Sequence, residues 1–188
     1  MTYKEFEKAV HSFDSFLGDE FYNYVSDCII GEGEENDIFD APVIFECSDS
    51  AWKAHLSQLK KRLGIYLFVM DCDYLFGNEQ INDYSKIKGA KLNFREPRVL
   101  HKDSIFYVGS KNDSIYERIG QHLNRTEKSL ALGSNYRHFM CERLRIVVLP
   151  IKNDVAELLK TNEMTKPFLL LMENSLHKYW NPHAGTAR

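Results

Sequence analysis

Five side chains in this sequence have the types needed to grip or cut a phosphate ester: Tyr66, Tyr107, Arg118, His122 and Glu173. Hydrolysing a phosphodiester takes an activated water, a cation near the scissile oxygens, and donors for the charge that builds in the transition state. One carboxylate can hold one magnesium ion if substrate and waters supply the remaining oxygens. An arginine suits phosphate better than a lysine, because its planar fork bonds two oxygens at once. A phenol is a poor base at its ordinary pKa near 10, so a nearby cation would have to lower it before a tyrosine could activate water. These are common residues without a short diagnostic spacing, and a structural reading competes. Tyr66 and Tyr107 could be half-buried strand tyrosines, Arg118 could pair with Glu117 or Glu173, and His122 could be a satisfied core histidine. Glu173 weighs against that reading: it directly follows Leu-Leu-Leu-Met, and an acid entering an apolar face needs a reason.

The elements that must carry these residues can be read from composition and period. The segments LGIYL (63–67) and IFYVG (105–109) set a tyrosine among β-branched and aromatic residues, which predicts strands over 63–70 and 104–109. RLRIVVLPI predicts a third strand over 143–151, with Pro150 at its end or edge. Ile115, Ile119 and Leu123 share one helical face behind a cap at Asp113 or Ser114, and Arg118 and His122 are neighbours on another face. Helices are also expected over 154–160 and over 166–179, where Pro167 is tolerated in the first turn and Pro182 forbids continuation. Upstream, helices are expected over 3–17, over 19–30, and behind Ser48 or Ser50. The glycine- and acid-rich run GEGEENDIFDAP separates the first two from the rest of the chain.

Composition bounds the function. With 188 residues, 44% of them hydrophobic and 13% aromatic, the chain can build a core, and no apolar run approaches a membrane span. The start lacks the order of a secretory signal, so a cytoplasmic location is expected. Cys28, Cys47, Cys72 and Cys141 form no CxxC pair, which predicts reduced core thiols. The net charge of −3 hides an asymmetry: residues 1–40 hold two lysines against eleven acids, net −9, leaving +6 for residues 41–188. That is the sign a nucleic-acid-binding domain would have, although acids that simply solvate an N-terminal helical pair give the same asymmetry. The stretch KIKGAKLNFREPRVLHK carries six basic residues, Lys91 and Arg95 among them, against one acid, and could track a phosphate backbone.

The order of these residues resembles the GIY-YIG nuclease family. Gly64-Ile65-Tyr66 matches its first motif and Tyr107-Val108-Gly109 its second, with valine for isoleucine; Arg118, His122, Glu173 and Pro182 then follow in the family's order. The resemblance implies an α+β fold with a small three-stranded antiparallel sheet flanked by helices, here preceded by an acidic helical appendage. The expected division is an N-terminal helical region over 1–60 and the nuclease-like domain over 61–188, with a long insertion at 70–103 where the family has a short hairpin. It further implies a DNA endonuclease, of a restriction, defence or mobile-element kind, using one Mg2+ or Mn2+ ion. Glu173 would be the metal ligand and Arg118 the phosphate clamp, Tyr66 or Tyr107 would help to activate water, and His122 would assist. Lys111, Lys91, Arg95 and Asn181 would contact substrate. Asn181 would stand in for a family asparagine whose position is taken here by Gly185. DNA is the expected partner, no membrane is, and a homodimer would suit symmetric duplex sites. The alternative is a non-catalytic nucleic-acid-binding module that keeps the fold, and a weaker one is an interaction protein assembling through its N-terminal helices.

Overall fold

A computed structural model describes residues 18–46, 52–71, 99–100, 103–124 and 144–182. At its centre is strand β2 (Gly64–Asp71), flanked by β4 (Asp103–Lys111) on one side and β5 (Leu144–Pro150) on the other. Two short strands extend the sheet, β1 (Val43–Glu46) beside β5 and β3 (Val99–Leu100) beside β4, giving the antiparallel order β1-β5-β2-β4-β3. The α+β class is as expected, but the described sheet has five strands rather than three. Both additions are edge strands too short for a sequence period: β1 buries only Phe45, and β3 is two residues inside the insertion.

Residues 65–70 are at most 1% exposed, because both faces of β2 are covered. This explains why LGIYLFVM reads as a continuous apolar run rather than an alternation. On one face Tyr66, Phe68, Met70, Ile146 and Val148 pack against α2 (Trp52–Ser57) and α3 (Ile115–Asn124), through Leu56, Ile115, Ile119 and Leu123. On the other, Ile65, Leu67, Val69, Val147 and Leu149 meet three helices, α1 (Asp19–Ile30), α4 (Asn153–Thr161) and α5 (Thr165–Trp180). The expected helices over 19–30, 154–160 and 166–179 agree with α1, α4 and α5 to within a residue or so at either end; the one over 3–17 lies outside the described residues.

The long insertion does not disturb the central pairing: Asp71 faces Asp103 and Met70 faces Ser104 across the start of the β2–β4 ladder. Helix α1, from the expected N-terminal region, shares the main core. It buries Phe21, Val25, Cys28 and Ile29, the i, i+4, i+7, i+8 face of a helix. It ends at Gly31, whose φ of 87° is left-handed backbone suited to glycine, and Glu32 N–H then caps Asp27 O at 2.8 Å. Tyr22 stacks on Tyr179 of α5 with ring centroids 3.9 Å apart, and Arg62 ties Asp40 and the Ile151 carbonyl together. Among the described residues no helix is long and apolar enough to cross a membrane.

Because Phe21 is fully buried against the sheet, Phe21→Ala should destabilise the chain by about 3–5 kcal/mol. Urea unfolding read by far-UV circular dichroism measures this, and an unchanged midpoint would contradict the shared core.

Candidate active site

Both motif glycines are explained by close approach. A Cβ on Gly64 would lie 2.3 Å from the Leu149 carbonyl oxygen on β5. Gly109 stands opposite Tyr66 in the β2–β4 register, and a Cβ there would lie 2.3 Å from the Tyr66 hydroxyl and 2.8 Å from Cε1 of Tyr107. The Tyr66 phenol therefore runs across Gly109, a path that any side chain at 109 would block.

A β-bulge sets the second tyrosine. The register steps from Phe68↔Tyr107 to Val69↔Ile105, so Phe106 is an extra residue and both Phe106 and Tyr107 pack on the Tyr66 face. Beyond the bulge, alternation resumes: Gly109 and Lys111 share the face of Tyr66, and Ser110 points to the opposite one, alongside Ile65.

Helix α3 comes in over the tyrosine face. Ser114 is its cap, accepting the Glu117 N–H at 3.3 Å, and Ile115 N–H donates to the Arg62 carbonyl at 3.0 Å. His122, 1% exposed, meets the Tyr66 hydroxyl through Nε2 at 2.8 Å, and its ring lies 5.1 Å from that of Tyr107. Burial, aided by the charge on Arg118, pushes the His122 pKa down to about 3, so the imidazole is neutral at physiological pH. Burial also pushes the Tyr66 phenol well above its usual range, and the neighbouring Tyr107 adds to this; Arg118 opposes both without winning. Tyr66 is therefore protonated. For Arg118 itself burial works against the charge, but the phenols of Tyr66 and Tyr107 more than offset it, and the guanidinium is held firmly protonated. Its Nη1 donates to Gln121 Oε1 at 3.1 Å.

The opposite wall is α5. Lys166, Leu169, Leu170 and Glu173 follow the i, i+3, i+4, i+7 spacing of one helical face and line a cleft of about 460 Å3 with Tyr66, Tyr107, Ser110 and Arg118. Glu173 is only 6% exposed, and the Ser110 hydroxyl donates to its Oε2 at 2.5 Å. The cleft lies at the outer side of β4, where among the described residues only Asp103 and Ser104 are paired, with β3. The two helices thus reach it from opposite faces of the sheet.

Four of the five predicted catalytic residues, Tyr66, Tyr107, Arg118 and Glu173, line this cleft, with Tyr66 forming its buried floor. His122 sits behind Tyr66 rather than in the opening. Lys111 lines the cleft but also pairs with Asp113, Nζ to Oδ1 2.9 Å; this pairing draws the Asp113 carboxyl below its ordinary pKa. Asn181 is not among the lining residues: it ends α5 in left-handed backbone, φ 48°, with its N–H on the His177 carbonyl at 2.9 Å. Lys91 and Arg95 lie outside the described residues. Sequence reasoning missed Ser110, Asn112, Gln121 and Lys166. Lys166 was legible from its helical spacing to Glu173, and Gln121 from its three-residue step beyond Arg118; Ser110 had no signal but its place after Gly109.

No group of three or more His, Cys, Asp or Glu side chains gathers as a metal cage among the described residues. The donors at Glu173 still fit a hard cation: a carboxylate beside a serine hydroxyl at an open cleft suits an ion that keeps most of its waters. Comparisons with protein-family models, curated proteins and solved structures found no match.

Two tests address this geometry. Gly109→Ala should displace the Tyr66 phenol, break its bond to His122 and cost about 1–3 kcal/mol, read from urea midpoints and the His122 imidazole NMR signals. His122 titrates near 6.5 when unexposed to the fold and near 3 within it, so between those values the unfolded chain binds one more proton. Its contribution is complete above pH 6.5 and is lost as pH falls, by up to about 1.4 kcal/mol per pH unit. His122→Gln should lack that slope; equal slopes between pH 7 and 4 would contradict a buried neutral imidazole.

Proposed function

We propose that this chain is a GIY-YIG-type endonuclease that hydrolyses phosphodiester bonds in DNA with one Mg2+ or Mn2+ ion. The observation that carries this reading is the cleft itself, in which Tyr66, Tyr107, Arg118 and Glu173 converge from four separate elements. Such convergence is what an anionic reacting centre requires.

Glu173, with the Ser110 hydroxyl beside it, would hold the cation; when bound, that ion polarises a phosphate oxygen and neutralises charge on it. Arg118, kept protonated and braced by Gln121, bonds two phosphate oxygens and stabilises their growing charge. Tyr66 retains its proton and acts as a fixed hydrogen-bonding group, its orientation set by His122 Nε2. Tyr107, less buried than Tyr66, orients the attacking water through its phenolic oxygen. Lys111 adds positive charge at the same wall.

The raised pKa of Tyr66 favours a second reading, a nucleic-acid-binding module without turnover, because the most buried phenol is a poor base. One assay separates the two: cleavage of supercoiled and linear DNA with Mg2+ or Mn2+, comparing wild type with Glu173→Ala and Arg118→Ala. The endonuclease reading expects cutting by wild type and a loss of about 100-fold or more in each folded variant. Salt-sensitive DNA binding without cutting under either metal would replace it with the binding module.

A further inference from the structure

The Ser110 hydroxyl is on β4, one residue past the second tyrosine motif, and it donates to Glu173 Oε2 at 2.5 Å across 63 residues of sequence. The surroundings make this contact more than incidental. Glu173 is only 6% exposed and is flanked on its helix by buried Met172 and Leu176, both members of the larger apolar cluster that holds Ile65 and Leu67. A carboxylate placed there loses most of its hydration, and each hydrogen bond it accepts weighs heavily in holding it in place. Strand alternation explains how Ser110 reaches it. Tyr107 and Gly109 face α3, Ser110 faces α5, and β4 is uncovered by β3 along this stretch, so one strand touches both walls of the cleft.

We infer that Ser110 is a positioning residue for a divalent-cation site at Glu173: its hydroxyl fixes the carboxylate's rotation and so sets the affinity of the site. The inference rests on the proposed function only for the presence of a cation at Glu173. Hydrogen-bond partners of ligating carboxylates orient the ligand and tune the metal, and their loss weakens binding by about 10–100-fold. Ser110 thereby joins the tyrosine wall to the carboxylate wall through a single strand residue.

The test is a titration of the full chain with Mn2+, followed by the electron paramagnetic resonance signal of the unbound ion. Wild type, Ser110→Ala, Ser110→Thr and Glu173→Gln are compared, with the far-UV circular dichroism of each measured separately in EDTA. The expected result is one site in wild type, none in Glu173→Gln, affinity about 10–100-fold weaker in Ser110→Ala, and recovery to near wild type in Ser110→Thr, which keeps the hydroxyl. Far-UV circular dichroism in EDTA should be the same in wild type and Ser110→Ala, which a general loss of structure would not allow. Mn2+ affinity in Ser110→Ala equal to wild type, or in Ser110→Thr as weak as in Ser110→Ala, overturns the role of Ser110 while leaving a cation at Glu173. Mn2+ binding undiminished in Glu173→Gln, or absent from wild type, overturns the cation site as well. DNA cleavage that persists in either case would keep the nuclease reading apart from this one.

Discussion

A phenol and an imidazole hydrogen-bonded to each other beneath a doubly covered sheet set the terms for everything around them. Tyr66 and His122 are both almost fully buried, and a polar group stranded in that environment costs about 1–3 kcal/mol. The pair is tolerated because each satisfies the other, and that demands a fixed distance between the middle strand and α3. Gly109 supplies the path for the phenol, and the Phe106 bulge brings Tyr107 onto the same face. The Ser114 cap and the Arg62 carbonyl then hold the start of α3 in place. Arg118 sits one turn before His122, so the arrangement that satisfies the buried pair also carries a guanidinium to the cleft.

The second half of the cleft depends on a simpler property, the two-residue period of a strand. Gly109 and Ser110 are adjacent, yet they serve opposite layers of the molecule. A helix packed on each face can therefore contribute to one site only where the strand between them is an edge. Among the described residues, no strand pairs with β4 on its outer side beyond Ser104. The acid of α5 and the arginine of α3 meet around it, although their helices belong to different hydrophobic clusters.

The features most legible in the sequence were those with a strong local period or composition. The three long strands, α1, α3, α4 and α5 were all read near their observed limits, and four catalytic candidates do share a cleft. What stayed hidden was hidden for physical reasons. Burial of Tyr66 outweighs the nearby arginine, a balance set by packing depth that no spacing encodes. The bulge at Phe106 depends on the partner strand. Ser110 reaches Glu173 only through tertiary pairing, and Asn181, whose place beside Pro182 looked suggestive, ends a helix instead. The acidity of residues 1–40 drew attention to what separates them from the rest, while Phe21, Val25 and Ile29, the apolar face of α1, carry the information that joins them to it.

The pairing of Asp71 with Asp103 gives the long insertion a different meaning. Its two ends lie side by side, as the ends of a tight hairpin would, so the ladder keeps its register whatever number of residues connects them. Chain length between these aspartates is therefore nearly neutral for the sheet and open to change over evolution. The exit lies at the far end of β2 from Gly64, four residues along β4 from the nearest lining residue on that strand, Tyr107, or roughly 13 Å of strand. Near the insertion's carboxyl end, Val99 and Leu100 lie beside Ser104 and Asp103 on the flank of β4.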